Sequence, residues 1–491
     1  MELLDKDLVS VQEVRNLIKK AKEAQRVLAQ MSQSQIDKIV KAIADAGFEN
    51  AEKLARMANE ETGFGKWQDK IVKNTFASKI VYNAIKDMKT VGILEDDEVN
   101  KIIEVAVPVG VVAGLIPSTN PTSTAIYKAM ISIKSANAIV FSPHPNAKNC
   151  ILETVKIISE AAKAAGCPDG AIACMTVPTM EGTDVLMKHN DIALILATGG
   201  SAMVKAAYSS GTPAIGVGPG NGPAFIERSA NIPLAVKRIL DSKTFDNGTI
   251  CASEQSVVVE ECIKEEVIKE LKKQGAYFLT DEEAKKLEKF IMRANGTMNP
   301  QIVGKSVEAI ANLASLSIPE GTRALVAAET RVGNTVPYSR EKLAPILAFY
   351  TEKDWESACE KCIEILNNEG AGHTLIIHSE NEKIIREFAL RKPVSRMLIN
   401  TPGALGGIGA TTNLMPALTL GCGAIGGSST SDNIGPFNLL NIRRVAYGVR
   451  EVEELTGNEK PVSSIETFGS KTDKEELIDE LVKRILQQLK N

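Results

Sequence analysis

The chain has 491 residues, 44% of them hydrophobic and 24% charged, with a formal net charge of −4 at pH 7. This composition suits a folded enzyme of two or three domains and excludes general disorder. Acidic and basic residues are interleaved, so no basic face exists for nucleic acid or an anionic membrane, and neither is expected as a partner.

The first residues, MELLDKDLVS, carry acids from position 2 and no apolar run, and no stretch reaches the ~18 apolar residues of a membrane helix. The expected address is the cytoplasm. From Ser10 to about Asn59 the apolar spacing is helical, with Ser10 and Glu13 matching a capping box. The β-branched run at 101–116, broken at Pro108, Gly110 and Gly114, predicts strands leading into the loop PSTNP.

A helix over 123–135 is followed by the strand Ala138 to Phe141, then SPHP, a helix through Ala165 and an apolar run after Gly170. The same alternation returns at Ile192 to Ala197, where two glycines precede a helix from Ser201. Strand, helix, strand in this order predicts a parallel sheet with helices on its faces. A second α/β set begins near Pro223 and carries Cys251; the Gly/Ser/Thr-rich stretch 403–435 has little helix, and 439–447 is strand-like again.

Cys251 stands in GTICASEQS, a turn of small residues before the strand-like Val257 to Val259, which predicts a thiol that another molecule can approach. Oxidation of an aldehyde through a thiol needs a sulfur nucleophile, donors for the oxyanion and a hydride acceptor. Cys251 supplies the first. Asn120 of PSTNP, with the Cys251 backbone N–H, could supply the second. The helix opening at Ser201 after Gly199 and Gly200 could hold a pyrophosphate. Eight scattered cysteines form no disulfide framework and are expected reduced; Cys359 and Cys362 lie on a helical pattern and read as a core face, so no metal site is expected. Gly421, Gly423 and Gly426 spell a dinucleotide fingerprint, but the following SSTSDNIGP is no helix. Asp246, Asn247, Ser253, Glu254 and Gln255 flank the cysteine, either shaping an acyl pocket or making ordinary turn hydrogen bonds.

The segments PSTNPTSTAIYK, IVFSPHP, ATGGSAMVKAAYSSG, GVGPGNGP, FDNGTICASEQS, EKLAP, GAGHT and LTLGCGAIGG, in this order, resemble the coenzyme-A-acylating branch of the aldehyde dehydrogenase superfamily over about residues 10 to 450. The resemblance implies two parallel-sheet α/β domains plus a small β oligomerisation segment. The divisions expected are an NAD-binding domain at 1–226, a catalytic domain at 227–425, a closing segment at 426–456, a linker at 457–471 and an amphipathic helix at 472–491. Cys251 would be the nucleophile and Asn120 part of the oxyanion site. Ile116, Pro117, Ser142, Pro143, His144, Thr198, Gly199, Gly200, Ser201 and Glu341 would hold NAD, with NADP left open. His373 of GAGHT could assist deprotonation or be a turn residue.

Hydrolytic relatives carry a glutamate base where this chain reads Gly216 Val217 Gly218 Pro219 Gly220, so a thioester would persist for coenzyme A. The expected reaction is reversible oxidation of a short aldehyde, acetaldehyde first, to an acyl-CoA. Propionaldehyde, sulfoacetaldehyde, a hydrolytic reaction, acyl-phosphate reduction and a non-catalytic scaffold are the alternatives. A dimer or tetramer is implied. The last helix resembles tails that direct such enzymes into bacterial microcompartments, with shell or cargo as its partner.

Overall fold

The computed structural model describes residues 5–455. The predicted linker and terminal helix at 457–491 lie outside the described residues. The described residues form two compact units: 5–94 with 105–443, and 95–104 with 444–455.

The first unit opens on helices Lys6–Leu28, Gln33–Glu49 and Ala51–Thr62. Ser10 and Glu13 do not cap the first of these. They lie one turn inside it, where Ser10 Oγ donates to Val177 O and Glu13 accepts the Thr176 and Val177 amides. A capping box and an i,i+3 pair on a helix face have the same spacing; the box forms instead at Ser32 and Gln35.

The predicted β-branched run divides at Pro108 into two strands. Numbered along the chain, the strands are β1 (Gly92–Asp97), β2 (Ile102–Pro108), β3 (Val111–Ile116), β4 (Ala138–Pro143), β5 (Ile172–Cys174), β6 (Ile192–Ala197) and β7 (Ala214–Gly216). The last five form one parallel sheet in the order β5-β4-β3-β6-β7. Every residue of β3 and β4 is buried, as a sheet covered by helices on both faces requires. Chain order runs outward from β3 in both directions, so the strand ends part at β3 and β6 and leave a crevice beyond their carboxyl ends.

A seven-stranded parallel sheet holds β8 (Gly222–Ile226), β9 (Glu254–Glu260), β10 (Ala276–Phe278), β11 (Ala324–Ala328), β12 (Ile346–Glu352), β13 (Gly372–His378) and β14 (Val394–Ile399), in the order β10-β11-β12-β9-β8-β13-β14. β8 therefore belongs to the second sheet, although it lies within the predicted 1–226 segment. A short buried strand carries no local mark of the sheet it joins.

The predicted closing segment also divides. Its first part packs within the first unit, where Leu439 O accepts from Asn137 Nδ2 at 2.8 Å. In the second unit Arg444 meets Glu104 at 2.9 Å and Tyr447 N donates to Lys101 O. Val445, Tyr447 and Val449 of that unit are exposed.

Candidate active site

Cys251 follows a turn that few sequences tolerate. Asp246, Asn247 and Gly248 take φ values of +48°, +53° and +78°, three consecutive residues in the left-handed region. For the two non-glycine residues this costs about 1–3 kcal/mol each, which surrounding contacts must offset. Buried Asp246 accepts from the Lys66 amide at 2.7 Å, from Lys70 Nζ at 3.0 Å and from Lys73 Nζ, while Asn247 Nδ2 donates to Gly304 O at 2.9 Å. Burial favours the neutral acid, but Lys73 and Lys70 outweigh it and hold the Asp246 carboxyl below its usual range.

The small residues around Cys251 do not leave the open approach expected of them. Ile250, Ala252 and Ser253 are buried, and a Cβ on Gly248 would stand 3.1 Å from two backbone carbonyl oxygens. A Cβ on Gly220 would come within 1.9 Å of Cys251 O. Small side chains here let backbone segments converge, and Cys251 itself keeps partial exposure.

That convergence brings β13 to the cysteine. His373 Nε2 lies 3.3 Å from Cys251 Sγ, and its Nδ1 lies 2.9 Å from Thr374 Oγ1. The tautomer in which Nδ1–H donates to Thr374 leaves Nε2 able to accept the thiol proton. Burial, reinforced by Arg396, holds the imidazole near pKa 3, hence neutral. The thiol is pushed up to about 12 by burial, then by Glu341 and Cys422, with Arg396 opposing. At rest the pair is thiol and neutral imidazole, not an ion pair.

Asn120 precedes the helix Pro121–Lys134 at the end of the β3 loop. Its Nδ2 approaches Thr249 O at 3.3 Å, which brings the amide to the nucleophile turn, and its Oδ1 accepts from Lys73 Nζ at 2.6 Å. Glu341 Oε1 accepts from Gly220 N at 2.8 Å, beside the cysteine. Burial, then the Glu369 charge, raises its pKa to about 8, so near neutral pH it is largely protonated. No side chain between 216 and 220 offers a carboxylate, and a Cβ on Gly216 would come 2.6 Å from Val204 Cγ1.

The remaining predicted residues gather at the carboxyl edge of the five-stranded sheet. Leu115 pairs with Ser142, Ile116 with Pro143 and Leu115 with Ala197, so Ile116 and Pro117, Ser142 to His144, and Thr198 to Ser201 lie side by side on adjacent strand ends. The Ser142 hydroxyl is inward, 2.8 Å from Thr183 Oγ1, whereas His144, Gly200 and Ser201 are exposed. A cavity of about 330 Å³ opens there, lined by Ser201, Lys205, Tyr208, Gly218, Pro219 and Gly427. The cavity runs along one face of the helix Ser201–Ser209, and Ser201 is the one residue of the predicted set among those that line it.

Sequence reasoning missed Lys70, Lys73 and Arg396. Arg396 Nη1 donates to His373 O at 3.1 Å and Nε to Asn433 Oδ1 at 2.7 Å, with Gly421 O and Ser431 O as further acceptors. The only early sign of the two lysines is their spacing of three residues, a pattern shared with any solvated helix face, and Arg396 has none. Asp246, Asn247 and Gln255 make turn and scaffold hydrogen bonds, Gln255 Oε1 accepting from Lys243 Nζ at 2.8 Å. Cys359 and Cys362 are buried on the helix Trp355–Asn368, as the spacing predicts. Gly421 to Gly426 turn back on 430–432 rather than opening a helix.

A family model described as "Aldehyde dehydrogenase family" matches residues 4–411. The chain is 45% identical over 468 residues to the bifunctional aldehyde-alcohol dehydrogenase AdhE of Escherichia coli K12, covering 94% of this chain and 52% of that protein. It is 38% identical over 440 residues to the succinate-semialdehyde dehydrogenase (acetylating) of Clostridium kluyveri, covering 90% and 97%. Among solved structures, a probable aldehyde dehydrogenase from Listeria monocytogenes EGD-e superposes with TM-score 0.91 at 74% identity, covering 92% of this chain and 100% of that one. An acetylating aldehyde dehydrogenase from Geobacillus thermoglucosidasius gives 0.90 at 56%, covering 91% and 99%. The chain belongs to the aldehyde dehydrogenase family. It spans about half the length of the curated aldehyde-alcohol dehydrogenases it matches.

Proposed function

We propose that this protein is a CoA-acylating aldehyde dehydrogenase, oxidising a short uncharged aldehyde to an acyl-CoA with NAD, reversibly. The single observation that carries the reading is the Cys251–His373 contact at 3.3 Å, beside a segment with no carboxylate. His373 Nε2 takes the thiol proton as Sγ bonds to the aldehyde carbon, and the carbonyl electron pair moves to oxygen. Asn120 Nδ2 and the Cys251 amide face that oxyanion. Residues at the strand ends of the first sheet would hold NAD, which would supply the hydride acceptor. The resulting thioester on Cys251 meets no strong base that would activate water, since Glu341 is largely protonated and hydrogen-bonded to Gly220 N. A thiol needs less assistance than water, so the coenzyme A thiol releases its proton to solvent as its sulfur bonds to the acyl carbon, and His373 returns the proton it took to the departing Cys251 sulfur.

Arg396, the cation beside the cysteine, is engaged by carbonyl groups and Asn433. This supports acetaldehyde or propionaldehyde over sulfoacetaldehyde or a semialdehyde acid, which need a free cation. The test is product analysis with and without CoA, using acetaldehyde, propionaldehyde, butanal and sulfoacetaldehyde with NAD and NADP. CoA-dependent acyl-CoA from the uncharged aldehydes is expected; free acid formed equally without CoA would overturn the reading in favour of hydrolysis.

Exposed Val445, Tyr447 and Val449 support a homo-oligomer built through the closing strand. For residues 472–491 the sequence pattern supports a microcompartment targeting helix. Removing 457–491 is expected to keep activity and abolish co-sedimentation with shells; unchanged sedimentation would count against it.

A further inference from the structure

Lys73 lies on the helix Trp67–Thr75, remote in sequence from Asn120 and Cys251, with its side chain 2% exposed. A lysine ammonium has three N–H donors and no acceptor. All three find oxygens here: Asn120 Oδ1 at 2.6 Å, Thr249 Oγ1 at 2.8 Å and Asp246 Oδ2. One buried cation thus joins the loop that carries the oxyanion amide to the turn that carries the nucleophile.

Two consequences follow from that geometry. A carboxamide can present either end, and rotating it by half a turn changes its shape little. Because an ammonium cannot accept a hydrogen bond, the Asn120 oxygen must face Lys73 and the NH2 group must face the Cys251 turn. With the opposite orientation a carbonyl oxygen would point at the developing oxyanion and repel it. Secondly, a full positive charge on the amide oxygen draws electron density from nitrogen and makes Nδ2–H a stronger donor.

Holding Asp246 does not by itself account for Lys73. Lys70 Nζ already meets the same Asp246 oxygen at 3.0 Å and is anchored again on Thr119 O at 3.1 Å. Burying a second ammonium against one carboxylate is unfavourable unless its charge does something there. What Lys73 reaches and Lys70 does not is Asn120.

We infer that Lys73 is a positioning residue for the oxyanion site, fixing the orientation of the Asn120 amide and polarising it toward the reacting carbonyl. This rests on the acylating reading above. The groups facing the ammonium are Asp246, Lys70 and Asp69, and burial outweighs the attraction of Asp246, lowering its pKa to about 8. Raising the pH through about 8 removes the charge that the amide orientation depends on, so turnover declines on the alkaline side.

A double-mutant cycle with Lys73→Met and Asn120→Ala tests the inference, with Cys251 alkylation by iodoacetamide as a second readout. Alkylation forms no oxyanion, so it reports the integrity of the nucleophile turn alone. Lys73→Met is expected to lower kcat/KM for acyl-CoA formation by about 30- to 100-fold, with the alkylation rate changed by less than about threefold. In the Asn120→Ala background the same change should cost less than about threefold more, because the residue acts through Asn120. Equal losses in both backgrounds, alkylation falling in step with turnover, or no loss at all would overturn it. Lys73→Arg, which stays charged, should lessen the alkaline decline near pH 8, leaving only the part that comes from Glu341, which titrates in the same range; a decline of undiminished size counts against the inference and needs no properly folded methionine variant. A wild type that makes no acyl-CoA removes the reading and this inference together, whereas an active wild type with an additive cycle removes this inference alone.

Discussion

Replacing Cys251 with serine is expected to lower CoA-dependent acyl-CoA formation by at least about a thousandfold, because a hydroxyl is a far poorer nucleophile than a thiolate and an oxygen ester transfers poorly to a thiol. Nicotinamide cofactor affinity should be retained, since the strand ends of the first sheet are untouched. Iodoacetamide mapping on the wild-type enzyme adds a sharper check. With the thiol pushed up to about 12 by burial, the unliganded protein holds almost no thiolate at neutral pH. Alkylation of Cys251 should therefore climb by about tenfold per pH unit between about pH 7 and 9, with no plateau. Peptide mapping is needed because Cys262 is also exposed. A plateau near neutral pH would mean a resting thiolate-imidazolium pair, and native turnover by the serine variant would end the thiol mechanism.

His373→Ala should lower kcat/KM by between about 10²- and 10⁴-fold, the usual worth of a placed proton acceptor. The pH profile separates this role from simple packing. Burial holds the imidazole near pKa 3 at rest, so it stays neutral from about pH 5 to 8, and it gains basicity toward the thiol proton only as the negative charge forming on the adjacent sulfur stabilises the imidazolium. The wild type should accordingly show no loss of activity centred near pH 6.5, where an ordinary histidine would protonate. Free imidazole added to the alanine variant should restore part of the rate. Wild-type-like turnover of that variant would show that the 3.3 Å contact is packing alone.

Much of the architecture is readable from local pattern. The runs around Ala138 to Phe141 and Ile192 to Ala197 are apolar on both faces because both faces of a parallel sheet are covered, and that requirement is written into each strand separately. The two parallel sheets and the core cysteines of WESACEKCIEIL follow in the same way. The errors share one cause. Ser10 and Glu13 have the spacing of a cap but face Val177 and Thr176, and β8 has the composition of either sheet. In both cases the deciding neighbour is distant in the chain.

The same division runs through the site. Residue identity alone determined that one cysteine stands before a buried strand and that no carboxylate occupies 216–220, because these are properties of single short segments. Only the tertiary structure decided that His373, 122 residues away, meets that cysteine, and that Lys73, 47 residues from Asn120, donates to its amide oxygen. Such contacts depend on the order of strands in a sheet and on glycines that let their ends converge, and neither leaves a periodic trace in the chain.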